Sequence, residues 1–399
     1  MDKQILVEFF DHESLENLIS LEDGQYSKVV YLYFDGVNAP DRQEEQVLSR
    51  FLQRRFGMTA EFCPVQEMTI PGICAAFDRI LEGKWGGVID LTGGPEVFSA
   101  AAGYYAARSK GRMIALQQFD VAGGKRIFRY PRGEDAIQRL ELTVEESVAL
   151  QCAAVLDSTP VQLGGVMEKE TLRLWGAVND IPRQWNHFCT LPAFTPAQYR
   201  SRQEKGVFSK GDSTAYDAVA ARLRKLGVMR REERMRVENR DYMVFDLDVP
   251  EEARVLYEKG GNLLEHYCAV AAQRAGVFRE CRVSVSLDWD GENRQHSVDV
   301  RNEVDVVLIY GHIPVFVSCK NTRVENEHLY EIAAMARHYG GRYARAAIVS
   351  NADNLPAIRL RAKEMGILLV DELSRRSLDE VVRVFRTHFP PRIEEKKSK

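Results

Sequence analysis

The first 130 residues alternate short, almost wholly apolar segments with longer segments in which apolar residues recur every three or four positions. The apolar segments are typical of buried strands: QILVEFF, SKVVYLYF, MTAEFCPV, GGVIDLTGG and RMIALQQFD. Helical periodicity marks the segments between them: SLENLIS, DRQEEQVLSRFLQRRFG, TIPGICAAFDRILEGKWG and PEVFSAAAGYYAARSKG. Apolar strands separated by helices indicate a parallel sheet that is covered on both faces. We therefore predict a doubly wound, Rossmann-like α/β domain over residues 1–147.

The pattern changes in the middle of the chain. In LTVEESVALQCAAVL, Thr143 is followed three residues later by Glu146, a capping-box signal for the start of a helix. Helical periodicity continues through TLRLWGAVNDIPRQWNHF, so we interpret residues 148–205 as a helical connector. STAYDAVAARLRKLGVMRREE then predicts a helix that Gly227 ends, and MRVENRDYMVFDLD predicts two short strands around a turn. A helix followed by a hairpin makes residues 206–250 a winged-helix-like segment.

The last part of the chain again mixes helices and strands. RVLYEKGGNLLEHYCAVAAQRAG predicts a helix, and RECRVSVSLDWD, NEVDVVLIY and IPVFVSCK predict three strands. ENEHLYEIAAMARHYGG predicts a second helix; the strands ARAAIVS and GILLVD, with a helix between them, and a closing helix follow. We predict a second α/β domain over residues 251–388 and a disordered tail over residues 389–399.

Composition narrows the function classes. A chain of 399 residues suggests two or three domains, and no apolar run reaches the roughly 18 residues needed to span a bilayer. The first residues lack the architecture of a signal peptide, so we expect a cytoplasmic protein without a membrane partner. The seven cysteines show no CxxC spacing, which favours reduced thiols over a zinc site. A formal charge of −4 excludes a generally basic nucleic-acid binder but permits a local basic patch.

One predicted hairpin, NEVDVVLIYGHIPVFVSCKN, carries charged residues on both strands. Side chains alternate between the faces of a strand, so Glu303 and Asp305 share one face of the first strand. Ser318 and Lys320 share one face of the second strand for the same reason. The YGH turn with Gly311 suits a tight bend. The hairpin therefore brings two carboxylates, a hydroxyl and an ammonium group to one place.

Glu265, on the preceding predicted helix, can reach the same place. Carboxylate oxygens bind Mg²⁺ or Mn²⁺, and such a cation neutralises a scissile phosphate and acidifies a bound water. A nearby lysine stabilises the charge that develops on the phosphate. We therefore predict metal-dependent phosphodiester hydrolysis, with Glu265, Glu303, Asp305, Ser318 and Lys320 as the catalytic residues.

These motifs resemble a known class of nucleases. Glu265 on a helix, NEVD on one strand and a lysine at the end of the next resemble the PD-(D/E)xK restriction-endonuclease-like fold. More narrowly, NEVDVVL, IPVFVSCKN and LYEIAAMARHYGGRYA are similar to the nuclease domain of the CRISPR-associated Can/Card effectors. Those effectors carry an N-terminal CARF (CRISPR-associated Rossmann fold) domain, and the N-terminal half of this chain fits one. The resemblance covers nearly the whole chain and implies a nuclease of type III CRISPR antiviral defence that acts on DNA, RNA or both.

The chain departs from the broad nuclease family at Ser318, where the family has Asp or Glu. A hydroxyl binds a metal more weakly than a carboxylate does, so metal affinity should fall unless another group compensates. Glu331 on the next helix can supply charge, although a solvated helix face explains it equally well, and a backbone carbonyl near Cys319 can coordinate. We expect the metal ligands to be Glu265, Glu303, Asp305 and Cys319. His312 and His328 are interpreted as surface residues.

A second candidate site lies in the N-terminal half. Thr92, Gly93 and Gly94 follow an apolar strand directly, and a helix is predicted to begin near Pro95. Two glycines let the backbone approach a ligand closely, and helix N-terminal amides bind phosphate. The stretch matches neither GxGxxG nor the P-loop, and a structural turn explains it equally well. Other polar loops are expected at the same edge of the sheet: Asp11-His12-Glu13-Ser14, Asp35-Gly36 and Gln118-Phe119-Asp120.

CARF domains, which the N-terminal half resembles, dimerise and bind cyclic oligoadenylate across the two-fold axis. The resemblance therefore implies a homodimer whose activator is cyclic tetra-adenylate (cA4), although the sequence does not define the ring size. Binding would shift the nuclease domains towards an active arrangement. The predicted activator-binding residues are Asp11, His12, Ser14, Asp35, Thr92, Gly93, Gly94 and Phe119.

The middle segment KLGVMRREERMRVENR is locally basic. Its basic residues are Lys225, Arg230, Arg231, Arg234, Arg236 and Arg240. These side chains either cover a solvated spacer or guide a nucleic-acid backbone towards the metal site. The interleaved acids Glu232, Glu233 and Glu238 argue against very tight duplex binding.

Two functions of different classes fit these features. The first is a cyclic-oligoadenylate-activated, metal-dependent nuclease. The second is a ligand-responsive winged-helix DNA-binding regulator with a catalytically decayed nuclease fold, which Ser318 and the basic middle segment favour. A nucleotide-dependent metabolic enzyme has little support because no cofactor fingerprint is present. A scaffold needs no inward-facing cluster of charges, so the carboxylates and Lys320 favour the nuclease.

Overall fold

The computed structural model describes residues 4–21, 26–84, 86–109, 111, 113–131, 140–190, 205–209, 213–237, 240–291 and 300–390. For residues 190, 205–209, 213–215, 230–237 and 240–246 it describes the backbone only. Two six-stranded sheets and one three-stranded sheet organise these residues. The mixed α/β architecture predicted from the hydrophobic pattern is confirmed.

The N-terminal sheet is Rossmann-like. Its strands are β1 (Gln4–Phe9), β2 (Tyr26–Phe34), β3 (Thr59–Val65), β4 (Gly86–Asp90), β5 (Met113–Asp120) and β6 (Lys125–Tyr130), in the order β3-β2-β1-β4-β5-β6. All neighbours are parallel except β5 and β6. Helices α1 (Arg42–Phe56), α2 (Ile70–Ile80) and α3 (Glu96–Arg108) connect the strands.

The segment SLENLIS corrects one prediction, because it forms consecutive hydrogen-bonded turns and no regular α-helix. The side chain of Asn17 accepts from the Asp11 N–H over 2.9 Å and donates to the Asp11 carbonyl over 2.6 Å. Such local pairing of an Asn side chain with the backbone competes with helix formation. The apolar residues Leu15, Leu18 and Ile19 are nevertheless buried, which explains their helix-like spacing.

The connector contains a strand that the sequence did not predict. Helix α4 (Val144–Ala149) begins with the predicted capping box of Thr143 and Glu146. Strand β7 (Ala154–Pro160) follows, and α5 (Val166–Val178) and α6 (Pro182–Thr190) come next. Because β7 pairs antiparallel with a strand of the C-terminal sheet, the wholly helical interpretation of residues 148–205 is wrong. Residues 191–204 lie outside the described part of the chain.

The middle unit combines one helix with three strands. These are β8 (Lys205–Ser209), α7 (Ser213–Lys225), β9 (Met229–Val237) and β10 (Arg240–Leu247), and the antiparallel sheet has the order β8-β10-β9. The predicted helix and hairpin are both present, and β8 is an additional strand. Val219 and Leu223 of α7 belong to the same hydrophobic core as α6 and the C-terminal domain. The middle unit is therefore packed onto the C-terminal domain.

The C-terminal sheet has the order β15-β14-β13-β12-β11-β7. Its elements are a 3-10 helix (Glu251–Tyr257), α8 (Asn262–Ala275), β11 (Glu280–Asp288), β12 (Arg301–Tyr310), β13 (Ile313–Lys320), α9 (Asn326–Gly340), β14 (Arg345–Ser350), α10 (Pro356–Glu364), β15 (Leu368–Val370) and α11 (Leu378–His388). Helices α8 and α11 share one core, and α9 and α10 share the other. The predicted first helix is thus divided into a 3-10 helix and α8.

The predicted start of the disordered tail at residue 389 is wrong. Phe389 is completely buried, and its ring lies 5.1 Å from Phe278 and 5.4 Å from Tyr310. The Tyr310 hydroxyl also donates to the Pro390 carbonyl over 2.5 Å. Residues 391–399, the rest of the predicted tail, lie outside the described part.

The β12–β13 hairpin contacts the N-terminal domain through His312. This side chain is completely buried, and its Nε2 lies 2.7 Å from the Val121 carbonyl oxygen. The interpretation of His312 as a surface residue is therefore wrong, because a carbonyl of the other domain satisfies its ring nitrogen. His328 accepts from the Glu325 N–H over 3.0 Å at the start of α9.

All seven cysteines are free thiols, as expected. Within the described ranges, no helix has both the length and the apolar character that a membrane span requires.

Candidate active site

Asp305 ties the two strands of the hairpin together. Strands β12 and β13 pair from Val306–Val317 to Tyr310–Ile313, and Gly311 takes a left-handed φ of 67° in the turn. The Oδ2 atom of Asp305 accepts from the Cys319 N–H over 2.6 Å and from the Ser318 hydroxyl over 3.3 Å. The predicted meeting of the acidic strand with the serine-lysine strand is thus present.

A small pocket opens beside Asp305. It is lined by Glu303, Val304, Asp305, Val317, Ser318, Lys320, Glu331, Ile332 and Met335. Four of the five residues predicted to be catalytic therefore face one pocket. Glu331 on α9 lies across from the hairpin, and Glu303 and Glu331 are both exposed. Negative charge consequently surrounds the only cationic side chain of the lining, Lys320.

Glu265 approaches from the opposite side, because α8 packs on the other face of the sheet and Glu265 does not line the pocket. It lies in the first turn of α8, where its Oε2 accepts from the Ser284 hydroxyl over 3.2 Å. Burial raises the pKa of Glu265 to about 7, and the negative charge of Asp305 contributes in the same direction. The prediction that all five residues meet at one surface is therefore too simple: Asp305 lies between the pocket and Glu265.

Burial also raises the pKa of Asp305, while the Cys319 N–H and the charge of Lys320 oppose that rise. Two neighbouring carboxyl groups are thus held where their ionised forms are disfavoured. A bound cation would relieve this cost, because it neutralises the repulsion between the carboxylates. The electrostatics of the pair fit a divalent cation.

The described side chains do not provide a complete set of ligands for such a cation. Among the described residues, no group of three or more His, Cys, Asp or Glu side chains is arranged to hold a metal ion. The available donors are oxygens, which suit Mg²⁺ and Mn²⁺. The pocket offers the carboxylates of Asp305, Glu303 and Glu331 and the hydroxyl of Ser318, and Glu265 offers a carboxylate from the other side of Asp305. The Cys319 thiol does not fit, because its hydrogen bond with Cys268 and its burial raise its pKa well above the usual value. Cys319 can therefore contribute only through its backbone.

Three asparagines missed by the sequence reasoning support the site from behind. The side-chain amide of Asn321, next to Lys320, donates to Asn186 over 2.8 Å and to the Gly260 carbonyl over 3.0 Å. Asn351 donates in turn to the Asn321 side-chain oxygen over 2.8 Å. This network fixes the end of β13 against the loop that precedes α8. Nothing in the sequence pattern indicated it, because isolated asparagines in loops are common.

In the N-terminal domain, Thr92 joins the loop after β4 to the end of β5. Its N–H donates to Asp90 over 2.8 Å, and its hydroxyl accepts from the Phe119 N–H over 3.0 Å. Gly94 has a φ of 93°, and a Cβ atom there would lie 2.6 Å from the Cβ of Phe9. Glycine is therefore required at this turn.

The loop after β1 meets the same place through Asp11. A Cβ atom added to Gly93 would lie 3.3 Å from Glu16 Oε2 and 3.6 Å from the Cβ of Asp11. Asp11 itself accepts from the Glu13 N–H over 2.8 Å. Of the predicted activator-binding residues, the structure thus brings together Asp11, Thr92, Gly93, Gly94 and the backbone of Phe119.

Two other candidates, His12 and Ser14, line a small pocket together with Asp11. The Phe119 side chain is buried in the domain core, so it cannot contact a ligand at the surface. His12 turns to Glu44 on α1, with 2.7 Å between Nδ1 and the carboxylate. The Ser14 hydroxyl donates to the Leu150 carbonyl over 2.6 Å. Asp35 is exposed at the end of β2.

Five of the six predicted basic residues of the middle unit lie on strands β9 and β10. Lys225 is exposed at the end of α7, Arg230, Arg231, Arg234 and Arg236 lie on β9 with Glu232 and Glu233, and Arg240 begins β10. Glu238 lies outside the described residues. A role of these arginines in guiding nucleic acid stays a prediction.

Comparison with solved structures shows that the fold extends over the whole chain. Protein VC1899 from Vibrio cholerae superimposes with a TM-score of 0.73 at 15% identity, covering 97% of this chain and 98% of that one. Can2 from Sulfobacillus thermosulfidooxidans, solved in complex with cA4, gives a TM-score of 0.67 at 14% identity, covering 96% and 99%. A type III CRISPR defence DNA nuclease activated by cyclic oligoadenylate gives 0.50 at 14% identity, covering 98% of this chain and 53% of that one.

No curated protein matches the chain in sequence. A family model does: residues 251–388 match the Card1-like endonuclease domain. These residues contain α8, the β12–β13 hairpin and α9, which carry the carboxylates, Ser318 and Lys320. The C-terminal α/β unit of this chain is thus similar to Card1-like endonuclease domains over residues 251–388.

Proposed function

We propose that the chain is a nuclease of type III CRISPR antiviral defence, activated by cyclic oligoadenylate and dependent on Mn²⁺ or Mg²⁺. The observation that carries the proposal is the convergence of Asp305, Ser318 and Lys320 on one pocket within a Card1-like endonuclease domain. The raised pKa values of Asp305 and Glu265 support a cation at this place, since uncompensated carboxylates are costly there.

The side chains of the site divide into those that would hold the cation and those that set the charge around the phosphate. Asp305, Glu265 and Ser318 would hold the cation, with a backbone carbonyl near Cys319 as a further donor. When bound, the cation neutralises the scissile phosphate and lowers the pKa of a water. Lys320 supplies positive charge to the same pocket and stabilises the charge that develops on the phosphate oxygens. Glu303 and Glu331, exposed at the rim, favour a cation and keep the phosphate on the Lys320 side.

The substrate is nucleic acid, and DNA has the better support. One solved structure of the same fold is described as a DNA nuclease, whereas cleavage of RNA by this chain rests on the sequence resemblance alone. The basic residues of the middle segment would guide the nucleic-acid backbone, so binding should weaken as salt concentration rises.

The activator is a cyclic oligoadenylate bound at the carboxyl ends of β1, β4 and β5. The solved complex of Can2 with cA4, which has the same fold, supports a four-membered ring. Asp11, the Thr92 to Gly94 loop and the backbone next to Phe119 would form the binding surface. A homodimer is supported by exposed apolar side chains on β5 and β6: Met113, Ile127, Phe128 and Tyr130.

The coupling between the two sites runs through the loop after β1 and helix α9. Glu13 and Glu16 lie beside the activator loop and bind residues at the end of α9, whose first half carries Glu331 of the nuclease pocket. A shift of the loop on adenylate binding would therefore move α9 relative to the hairpin. Such a shift between two arrangements is sufficient for allosteric activation.

A cleavage assay tests the proposal. Plasmid DNA and a labelled single-stranded RNA are incubated with Mn²⁺ or Mg²⁺, with and without cA4, using wild type, Lys320→Ala and the control Lys363→Ala, an exposed lysine of α10. We expect cA4-dependent cleavage by wild type and by the control, and its loss in Lys320→Ala. Cleavage by Lys320→Ala at the wild-type rate would contradict the site. Adenylate binding without cleavage of either substrate would favour the DNA-binding regulator.

A further inference from the structure

Ser284 has an unusual backbone conformation within an otherwise extended strand. It lies in the middle of β11 with a φ of 51°, in the left-handed region that residues with a Cβ atom rarely adopt. This conformation costs a non-glycine residue on the order of 1 kcal/mol or more, so it persists only where other interactions offset it.

Ser284 lies directly opposite Asp305 of the neighbouring strand β12. The β11–β12 register passes from Val283–Val306 to Val285–Val304, and the intervening residues, Ser284 and Asp305, are not paired. Cys281 and Val283 belong to the core shared with α8, whereas Val285 and Leu287 belong to the core shared with α9. Regular alternation would keep all four on one face. The strand therefore changes faces at Ser284.

β12 changes faces at the matching position. Val306 packs in the core with α8, and Val304 packs in the core with α9. Asp305 lies at this change of face and reaches both the pocket and the neighbourhood of Glu265. The paired irregularity of Ser284 and Asp305 is thus what brings Glu265, on one side of the sheet, into electrostatic contact with the pocket on the other side.

The left-handed backbone conformation alone does not explain why position 284 is a serine. Glycine adopts a left-handed φ without steric cost and would serve the change of face better. Serine adds a hydroxyl, and this hydroxyl donates to Glu265 Oε2 over 3.2 Å. The other carboxylate oxygen, Oε1, lies close to Gly261, where an added Cβ atom would be 3.1 Å away. Ser284 and Gly261 therefore bound the two oxygens of Glu265.

We propose that Ser284 is a positioning residue of the nuclease site, whose hydroxyl orients the Glu265 carboxylate so that it binds a divalent cation together with Asp305. The inference rests on the proposed function and assigns a role to a residue outside the acidic and lysine motifs. Loss of a hydrogen bond to a metal-ligating side chain typically weakens metal binding about 10- to 100-fold. The hydrogen bond from the Ser284 hydroxyl to Glu265 would thus offset the free-energy cost of the left-handed backbone conformation.

Ser284→Gly separates this role from a purely structural one. The glycine relieves the left-handed conformation, so the variant should unfold at the wild-type temperature or above it. We expect its Mn²⁺ dissociation constant, measured from the spin-resonance signal of free Mn²⁺ in the absence of substrate, to rise about tenfold. Ser284→Ala, which keeps a Cβ atom, should show the same rise. Ser158→Gly, on the neighbouring strand β7, should bind Mn²⁺ like wild type.

Equal Mn²⁺ affinity of Ser284→Gly and wild type would overturn the positioning role and leave the proposed nuclease standing. Weaker Mn²⁺ binding by Ser158→Gly to the same extent would also overturn it, because the effect would then belong to the sheet and not to the hydroxyl. A wild-type chain that binds no Mn²⁺ would overturn both the positioning role and the metal-dependent mechanism. Cleavage assays with cA4 then report the consequence of the lost affinity at limiting Mn²⁺.

Discussion

The backbone N–H of Arg342, just beyond α9 of the C-terminal domain, donates to the side chain of Glu13 in the loop after β1 over 2.6 Å. Arg337 pairs with the same carboxylate over 2.5 Å. The Arg342 guanidinium pairs with Glu16, to which the Tyr343 hydroxyl also donates over 2.5 Å. Two acidic residues of the N-terminal domain are thus held by three residues of the C-terminal domain.

Arg342→Ala should weaken this interdomain contact. Glu16 is only 6% exposed, so removal of its guanidinium partner leaves a buried carboxylate with less compensation. We expect the free energy of unfolding to fall by about 1–3 kcal/mol. We also expect the stimulation of cleavage by cA4 to fall about fivefold or more, because the proposed route of coupling includes this contact.

Arg361→Ala is the matched control, since Arg361 and Glu364 form an exposed pair at 4.0 Å. Its free energy of unfolding should change by less than about 0.5 kcal/mol. Chemical unfolding and cleavage at saturating cA4 measure the two effects. Full stimulation in Arg342→Ala, despite lower stability, would show that coupling follows another route.

Asp305→Asn should separate stability from activity. An asparagine oxygen still accepts from the Cys319 N–H and the Ser318 hydroxyl, and the repulsion towards Glu265 disappears. The unfolding temperature should therefore stay constant or rise, while cleavage falls at least about 100-fold because the charge that holds the cation is lost. Thermal unfolding and cleavage assays on the same preparation decide this. A fall in the unfolding temperature together with the cleavage rate would instead indicate that Asp305 mainly stabilises the fold.

Ser318→Glu restores the acid that the broader nuclease family carries at this position. The Ser318 hydroxyl lies 3.3 Å from Asp305 Oδ2, so a carboxylate here adds negative charge beside the proposed cation. The Mn²⁺ concentration that gives half-maximal cleavage should fall about tenfold, since ligand charge tunes affinity. Without metal the variant should unfold at a lower temperature than wild type. An unchanged Mn²⁺ requirement would mean that Ser318 does not contact the cation.

The sequence predicted those parts of the fold in which burial follows a regular period. The parallel N-terminal sheet and the β12–β13 hairpin were predictable because their strands are long runs of buried apolar residues. Strand β7 was not, because Ala154–Pro160 is a half-exposed strand at the sheet edge with no alternating pattern. His312 was misread because its burial depends on a carbonyl 191 positions away, at Val121.

The candidate site likewise contains residues that follow a regular period and residues whose placement depends on distant contacts. Glu303, Asp305, Ser318 and Lys320 line one pocket as the sequence predicted, although regular alternation along β12 is interrupted at Asp305. Alternation could not reveal Ser284, because a serine with a left-handed φ has no sequence signal when its neighbours alternate like those of a regular strand. Contacts between domains, such as those of Glu13 and Glu16, are likewise invisible to local periodicity.

A buried acidic pair next to the Thr92 to Gly94 loop predicts a pH dependence of stability. Glu8 and Asp90 are 3% and 2% exposed; burial raises the pKa of Asp90 to about 7 and that of Glu8 well above its usual value. Their unfolded pKa values are about 4, so between about pH 4 and 7 the folded chain binds more protons than the unfolded chain. The contribution of these groups to stability is therefore largest at low pH and is lost as pH rises through that window.

We expect the free energy of unfolding, from denaturant titrations, to fall by more than about 1 kcal/mol between pH 5 and 8 for this reason. Glu8→Gln should flatten that dependence and stabilise the chain at pH 8, because the amide oxygen still accepts from Ser20 without carrying charge. An equal pH slope in Glu8→Gln and wild type would exclude the pair as its source.

Gly94→Ala and Gly103→Ala should have opposite effects, although both glycines lie within ten residues of each other. Gly94 has a φ of 93°, and its new Cβ atom would lie 2.6 Å from Phe9, so the alanine should lower the free energy of unfolding by about 1–3 kcal/mol. The loop must move to accept it, so cA4 affinity should fall as well. Gly103 lies within α3 with open space around it, and alanine there should stabilise the chain by up to about 1 kcal/mol. Calorimetric titration with cA4 and chemical unfolding of both variants measure these effects. Normal cA4 affinity in a folded Gly94→Ala variant would move the activator site away from the Thr92 to Gly94 loop.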